Sequence, residues 1–406
     1  TISPPRLGVT GHPMHKLVVR GASGIFSQPR DPYGSEAQMA LNPPQLADVV
    51  ITANTRNDAP AAVLRNGFVP LHGRPINPAL VQWRIQDPNQ KTPVVRQFSL
   101  GPEYELFEGT VLAIEYVGNQ TRNGRRMINL NQGVIATPGV GPVTVPYAKY
   151  RYVTAFLQQV ATCGKTASHS VQLRLQRRFM KGFAYTASFT YGRALGDFLD
   201  HLSADGGGGG QYPINAYDPE RNYGPLAFDV PRRFSGSFSY ELPFGKGRAK
   251  DPGGLLGAIA GNWNVNGIVT ISDGRPFTVG SNDRAGTGSG RISVANCVGN
   301  GIPDDQTIDQ WVLLSGYAPT ANFTYGNCGI NTVRGPGFKA TNFSVFRSIP
   351  LGGARRAELR WEVFNLFNNV NFGGPGLNVD SPTTFGRITS TVGSPREMQL
   401  AVKFYF

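Results

Sequence analysis

Apolar and polar residues alternate with a period of two through much of the chain, most clearly in its last segment. There the apolar positions are Met398, Leu400, Val402, Phe404 and Phe406. The positions between them are polar or mixed: Gln399, Ala401, Lys403 and Tyr405. Because successive side chains of a β-strand point to opposite faces, this pattern predicts a strand with one apolar face.

The same alternation recurs upstream and predicts ten to twelve strands in total. The predicted strands cover residues 16–26, 94–107, 109–117, 171–176, 183–191, 233–241, 263–272, 342–349, 356–363 and 398–406, with a weak candidate at 48–52. In one of them, four alternating charges share a face: Arg356, Glu358, Arg360 and Glu362. A charged row of this kind is typical of a water-filled interior rather than of a dry core.

The connections between these strands alternate between short and long. The shorter connections are 180–182, 243–262 and 350–354, and the long ones are 195–230, 278–337 and 368–395. Counted back from the C-terminus, every long loop falls at one end of the strands, which is typical of outer-membrane barrels and rare in compact soluble domains. Aromatic residues near strand ends also suit a membrane-interface girdle: Tyr191, Tyr240, Phe244, Trp263, Phe364, Phe367, Tyr405 and Phe406. We therefore predict an all-β, antiparallel transmembrane β-barrel, with a soluble β-sandwich as the alternative.

Composition agrees with a β protein and bears on its partners. Charged residues make up 16% of the chain, while Gly 51 and Pro 31 supply many turns. The net charge of +13 is scattered, and no helix or module suited to entering a nucleic-acid groove accompanies it. We expect outer-membrane lipid and lipopolysaccharide as partners, and no nucleic acid.

Candidate chemistry is sparse. Cys297 and Cys328 lie in one polar, Gly-rich segment and either form a disulfide or are two unrelated thiols, with Cys163 left over. Glu358 and Glu362 are too far apart along a strand for a glycosidase pair. The Gly run 206–210 and the nearby Asp200, His201 and Asp205 suit a solvated loop better than a phosphate or metal site. We expect no catalytic residues, metal or cofactor, and hence no enzyme.

Several segments together resemble the Oar-like TonB-dependent receptor family of acidobacterial type. The clearest are F-S-Y-E-L-P-F-G-K-G (238–247), G-N-W-N-V-N-G-I (261–268), S-D-G-R-P-F-T-V (272–279), R-G-P-G-F (334–338), E-V-F-N-L-F-N-N-V-N-F-G (362–373), F-G-R-I-T-S (385–390) and P-R-E-M-Q-L-A-V-K-F-Y-F (395–406). Residues 17–26 and 97–106 match more loosely.

The resemblance implies that residues 1–406 are the C-terminal portion of a barrel expected to have 22 strands. Family members precede the barrel with a regulatory-like domain and a plug, neither of which is found in this chain. The implied function is TonB-dependent import of an unknown extracellular ligand, with the TonB complex reached through the N-terminal part of the parent protein. The terminal aromatics Phe404 and Phe406 would act as the signal to the barrel-assembly machinery.

The long loops 195–230 and 278–337 are expected to face outside the cell and capture the ligand. Their tyrosines are the candidate contacts: Tyr212, Tyr217, Tyr223, Tyr317 and Tyr325. Two other functions remain open, a passive outer-membrane pore and a surface adhesin or secreted β-sandwich protein.

Overall fold

The structure is a computed structural model that describes residues 4–27, 42, 65, 82–150, 156–197, 212–245, 247–251, 253–288, 293–353 and 355–406. Within these residues, β-strands dominate: β1 (Arg6–Met14), β2 (Leu17–Ser27), β3 (Gln82–Gln86), β4 (Val94–Phe107), β5 (Thr110–Asn129), β6 (Val134–Ile135), β7 (Val143–Thr144), β8 (Phe156–Met180), β9 (Phe183–Gly196), β10 (Gly224–Pro225), β11 (Arg232–Glu241), β12 (Trp263–Ser272), β13 (Pro276–Phe277), β14 (Gly280–Ser281), β15 (Ser293–Val294), β16 (Asn296–Cys297), β17 (Tyr317–Ala318), β18 (Val333–Arg334), β19 (Phe338–Gly352), β20 (Arg355–Phe364) and β21 (Glu397–Tyr405). The single described α-helix is α1 (Gly254–Ala260), and two 3-10 turns cover Pro219–Asn222 and Leu314–Gly316.

Eleven strands form one continuous antiparallel meander in the order β1-β2-β4-β5-β8-β9-β11-β12-β19-β20-β21. The short strand β10 pairs antiparallel with the end of β9, and β3 pairs in parallel with β8. The strand number and the antiparallel all-β class agree with the sequence prediction. In the described residues β1 and β21 form the two edges of this sheet and do not pair with each other.

The predicted alternation appears as two different faces of the sheet, which we call the apolar face and the polar face. On β21 the apolar-face residues Leu400 and Phe404 are 77% and 59% exposed. On β20 Trp361 is 40% exposed, whereas Glu358 on the opposite face is only 7% exposed. Large apolar side chains thus lie on the surface and charged ones on the protected side, the reverse of a soluble protein.

The polar face carries the predicted row of charges as paired groups. The Arg360 guanidinium donates to Glu358 Oε1 and Glu362 Oε1, both at 3.0 Å. On the neighbouring strands, Gln399 donates to Glu362, and the Arg360 guanidinium lies 5.2 Å from the ring centroid of Phe346. Both carboxylates are therefore held by one arginine, which suits a salt-bridge ladder and not a pair of catalytic carboxyls.

The two ends of the sheet differ as predicted. At the turn end, β8 and β9 are joined by Lys181 and Gly182, both at positive φ, and β4 and β5 by Glu108 and Gly109. The opposite end, the loop end, holds every long connection: 28–93, 130–155, 197–231, 273–337 and 365–396. The strands that flank these five connections therefore all end on the same side of the sheet.

Several elements differ from the sequence prediction. β1 was not predicted, and β5 and β8 continue past their predicted limits toward the loop end. The link between β11 and β12 contains α1 instead of only irregular chain. Residues 48–52, the weak candidate strand, lie outside the described residues. Within the described residues no helix has the length and hydropathy needed to cross a lipid bilayer.

Candidate functional site

The loops at the loop end fold against one another into a unit that we call the loop cap. It comprises the described residues of 130–150, 212–231, 273–337 and 365–396. Its short strand pairs are β6–β7, β13–β18, β14–β15 and β16–β17. The cap is therefore ordered structure and not a set of independent loops.

The loop cap has its own apolar core, drawn from three different loops. The buried members are Ile214, Val279, Val294, Ala295, Val312, Cys328, Ile330, Val333, Val379 and Phe385. Trp311, Tyr317, Tyr325 and Leu377 pack against them. Four of the valines are at most 2% exposed, and burying one such side chain is worth about 1.5–3 kcal/mol.

A disulfide joins two positions of the loop between β12 and β19, the longest loop of the cap. Cys297 and Cys328 are bonded, with their Cα atoms 5.1 Å apart and 31 positions apart in sequence. The Cys297 N–H also donates to Asn327 Oδ1 at 2.6 Å. Cys163, on β8, is the free and exposed cysteine of the described residues.

The carboxylate of Asp380 joins the last loop to the loop between β12 and β19. Its side chain accepts hydrogen bonds from Ser281 Oγ at 2.9 Å and from the Asn282 N–H at 2.7 Å, and forms an ion pair with Arg284. The Arg284 hydrogen bond, aided by the other two donors, lowers the pKa of Asp380 to about 2 against the opposing effect of desolvation. The carboxylate is therefore charged and fully engaged at neutral pH.

Asp229, in the loop before β11, makes an equivalent connection to the loop between β12 and β19 and to strand β9. The side chain is 1% exposed and forms an ion pair with Arg334 of β18 and with Arg193 of β9, the latter at 3.4 Å. The Ala194 N–H donates to Asp229 Oδ1 at 2.6 Å. Because a buried carboxylate is costly unless it is paired, these contacts position the cap on the sheet.

Gln132 connects the loop after β5 with the rest of the cap. Its amide nitrogen donates to the Ile214 carbonyl, Thr287 Oγ1 and Tyr325 Oη at 3.1, 3.3 and 3.2 Å. Its amide oxygen accepts from the Ala216 N–H at 2.7 Å. One glutamine, 1% exposed, thus joins three loops through both ends of its amide.

The five candidate tyrosines occupy different environments in the cap. Tyr217 and Tyr223 are 54% and 40% exposed, while Tyr317 and Tyr325 pack against the cap core. Tyr212 is 8% exposed, and burial raises its pKa to about 12. Tyr217 and Tyr223 are thus the two whose rings are open to a ligand from solution. The hydroxyl of Tyr217 donates to the Gln132 carbonyl at 2.8 Å, which orients its ring.

The sequence does not predict the polar residues that join the loops of the cap, among them Gln132, Asp229 and Asp380. Each is a lone polar residue in a long loop, and no local pattern distinguishes it from a solvated one. Phe404 lies on the apolar face of β21, and Phe406, the terminal residue, is 97% exposed. Asp200, His201, Asp205 and the Gly run 206–210 lie outside the described residues, and elsewhere in the described chain no cluster of three metal-binding side chains occurs.

Several solved structures resemble this chain at low sequence identity. The outer membrane transporter YddB from Escherichia coli is 10% identical with a TM-score of 0.47, over 96% of this chain and 39% of its own. The siderophore receptor PiuA from Acinetobacter baumannii is 10% identical with a TM-score of 0.46, over 98% and 35%. The FrpB iron transporter from Neisseria meningitidis is 12% identical with a TM-score of 0.46, over 98% and 38%. The chain thus spans between a third and two fifths of the length of these structures.

A search among curated proteins gives no match. The family comparison is more informative, because residues 3–399 match the family described as outer membrane beta barrel domain. The exposed apolar face of the sheet is the surface that such a location requires. The chain therefore belongs to the outer membrane beta barrel domain family and resides in the outer membrane.

Proposed function

We propose that the chain is the C-terminal portion of a TonB-dependent receptor of Oar-like type, and that it captures a ligand outside the cell for import. The observation that carries this proposal is the loop cap, in which loops from one end of the sheet share an apolar core, a disulfide and buried ion pairs. A passive pore needs no such braced unit, whereas a receptor needs a surface of fixed shape.

The edges β1 and β21, which have no partner strand among the described residues, support the proposal that this sheet is part of a larger barrel. Backbone groups at a sheet edge have no partners in lipid, so each edge must be closed by further strands. The proposed partners of these edges are the remaining strands of the parent protein, which would enclose the plug. The TonB complex and the barrel-assembly machinery are proposed partners on the same basis.

Within the cap, Tyr217 and Tyr223 are the proposed ligand contacts. Their exposed rings offer apolar area at low entropic cost, and the neighbouring Lys165 lies 5.5 Å from the Tyr223 ring centroid. Tyr212, Tyr317 and Tyr325 act in this proposal as supports of the cap.

The test is uptake by cells carrying the full-length parent protein or a variant lacking residues 278–337. Two panels of labelled probes are used, ferric siderophores and oligosaccharides, with and without a protonophore that dissipates the proton gradient. We expect uptake of one panel, loss of that uptake with the protonophore, and loss again in the deletion variant.

Uptake that continues with the protonophore would contradict the receptor proposal and favour a passive pore. Binding of a probe to the cell surface without any uptake would favour the adhesin. Uptake that survives the deletion would overturn the assignment of loop 278–337 to ligand capture.

A further inference from the structure

Helix α1 lies in the connection between β11 and β12 at the turn end, and it exposes apolar side chains. Its sequence, G-L-L-G-A-I-A, contains no polar or charged side chain. Leu255 and Ile259 are four positions apart and so share one face of the helix, where they are 77% and 59% exposed. A helix of only 7 residues is marginal in water, so this apolar face needs a partner.

Two side chains from the sheet bind the C-terminal end of α1. The Trp263 indole Nε1–H donates to the Ile259 carbonyl at 2.9 Å, and the Arg347 Nε–H donates to the Gly261 carbonyl at 3.0 Å. The last carbonyls of a helix are usually hydrated or capped, and in lipid they must find partners within the protein. These two hydrogen bonds therefore suit a helix end that lies at the edge of the hydrocarbon.

Trp263 and Arg347 both belong to the apolar face of the sheet. They are directly paired across β12 and β19, and Arg347 in turn pairs with Leu359 of β20, which pairs with Val402 of β21. Leu359 and Val402 are 40% and 58% exposed, as expected of side chains that contact lipid. The end of α1 is thus attached to the membrane-facing side of the sheet.

The attachment lies at the turn-end boundary of the apolar face. Trp263 is the first residue of β12, and its carbonyl accepts a hydrogen bond at 2.9 Å from the N–H of Leu242, just beyond the end of β11. The Arg347 guanidinium lies 5.8 Å from the Trp263 ring centroid. Tryptophan is enriched where hydrocarbon meets headgroups, so α1 lies at that depth.

The other parts of the proposed parent barrel are poorly placed to cover α1. Strands β19 and β20 separate β12 from the edge strand β21, so strands added beyond β21 begin about 14 Å from β12. Five strands separate β11 from the other edge, β1. A plug would occupy the side of the polar face, opposite to Trp263 and Arg347. Lipid is the partner that is continuous with the surface to which α1 is attached.

We propose that α1 is an interfacial helix, which inserts Leu255 and Ile259 among the phospholipid acyl chains of the leaflet at the turn end. This is the periplasmic leaflet in the orientation of the proposed function, and only the choice of leaflet rests on that function. Interfacial helices bury their apolar face about 5–10 Å into the boundary between headgroups and acyl chains. The insertion holds the connection between β11 and β12 at a fixed depth in the bilayer.

The first experiment measures this depth in the full-length parent protein, reconstituted in nanodiscs of phosphatidylethanolamine and phosphatidylglycerol. A nitroxide label is attached at Leu255→Cys or, as the control, at Asp251→Cys, each combined with Cys163→Ser to remove the free thiol. Asp251 is exposed and lies three residues before α1. Collisions of each label with oxygen, which concentrates in lipid, are compared with collisions with a water-soluble nickel chelate.

We expect the label at position 255 to favour oxygen over the chelate several-fold more strongly than the label at position 251. A preference for the chelate at both positions would overturn the proposal in favour of a helix in water. Protection of the label at 255 from both reagents would show that a protein surface covers α1 instead of lipid. Heat-modifiable migration in detergent gels establishes that the labelled variants are folded.

A second measurement removes the apolar surface and keeps the helix. Alanine is the strongest helix former, so Leu255→Ala with Ile259→Ala leaves the helical tendency of α1 intact. We expect amide hydrogen exchange at residues 257–261 in the nanodiscs to become about tenfold faster, because contacts with the acyl chains are lost.

The matched control for this variant is Val298→Ala with Ile302→Ala. These side chains are also four positions apart and are 63% and 39% exposed, but they lie in the loop cap, so exchange at 257–261 should not change. Unchanged exchange in the Leu255 and Ile259 variant would contradict the insertion of these side chains into lipid. Neither measurement depends on whether the protein imports a ligand.

Discussion

The sheet and the loop cap are stabilised in opposite ways, although they belong to one chain. In the sheet, apolar side chains such as Leu400 and Trp361 face outward, and charged ones such as Glu358 face the protected side. In the cap, Val279 and Val294 are fully buried, and buried carboxylates such as Asp229 join the loops through ion pairs. The cap is therefore packed like a small water-soluble protein on top of a membrane-embedded sheet. We expect mutations in the cap to change the stability of the cap and leave that of the sheet unchanged.

The largest expected effect is removal of residues 278–337, which deletes most of the cap core. Ser272 and Phe338 are directly paired across β12 and β19, so residues 273–277 can close the strands as a short hairpin. We expect the full-length variant to keep heat-modifiable migration, while hydrogen exchange in 212–230 and 365–395 rises to the rate of an unstructured chain. Loss of the heat-dependent shift would mean that the sheet and the cap fold as one unit.

The second prediction concerns the backbone packing of the cap. A Cβ at Gly326 would lie 1.9 Å from the Val294 carbonyl oxygen, so Gly326→Ala forces the backbone apart. We expect destabilisation of the cap by about 4 kcal/mol, measured as faster exchange of amides in 293–337, with the sheet unaffected. The control is Gly299→Ala in the same loop, where the nearest atom lies at 4.0 Å. Equal effects of the two substitutions would contradict the packing described for Gly326.

The strands of the sheet can be predicted from the sequence, whereas the contacts within the loop cap cannot. The alternation on β20 and β21 predicts the strands because lipid on one side and polar contacts on the other impose it on every residue. The cap has no such local rule, since Gln132 contacts Ile214 and Thr287, 82 and 155 positions away. The pairs Asp229–Arg334 and Asp380–Arg284 are likewise long-range, so no spacing reveals them.

The sequence pattern does not predict the parts of β5 and β8 nearest the loop end, for a related reason. Residues such as Arg125, Arg126 and Asn129 are buried against other loops, so neither face of the strand is apolar there. Without an apolar face the period-two signal disappears, even though the backbone pairing continues. A pattern of two faces therefore marks the membrane portion of a strand and not its full length.

The third prediction tests the disulfide in the cap. Reduction, or Cys297→Ser with Cys328→Ser, restores loop freedom to the unfolded cap and should destabilise it by about 3–4 kcal/mol. We expect chymotrypsin to cleave within 298–327, after aromatic residues such as Tyr317 and Phe323, faster than in the oxidised protein, while heat-modifiable migration is retained. Cys163→Ser is the matched control, because this thiol is unbonded, and it should leave the cleavage rate unchanged. Unchanged cleavage in the double variant would assign the cap's stability to its apolar core alone.

The smallest effect is expected from pH, acting through Asp380. Its pKa is about 2 in the folded cap and about 3.9 in an unfolded chain, so its charged form stabilises the cap at any pH above about 4. As the pH falls from 4 toward 2 this contribution, on the order of 1–2 kcal/mol, is lost because the unfolded state binds the proton first. The measurement is hydrogen exchange of residues 281–284 and 378–385 between pH 6 and pH 2.5, corrected for the intrinsic rates.

In Asp380→Asn the loss should already be present at pH 6, and the extra opening below pH 4 should disappear. The control is Asp309→Asn, which also removes an ion pair with an arginine, Arg387 at 3.1 Å, but at a side chain that is 75% exposed. Water screens that exposed pair, so the control should change exchange very little at any pH. If both variants behaved alike, the carboxylate of Asp380 would be a surface charge like any other, and the connection between the last loop and the rest of the cap would rest on Phe385 and Val379 in the apolar core.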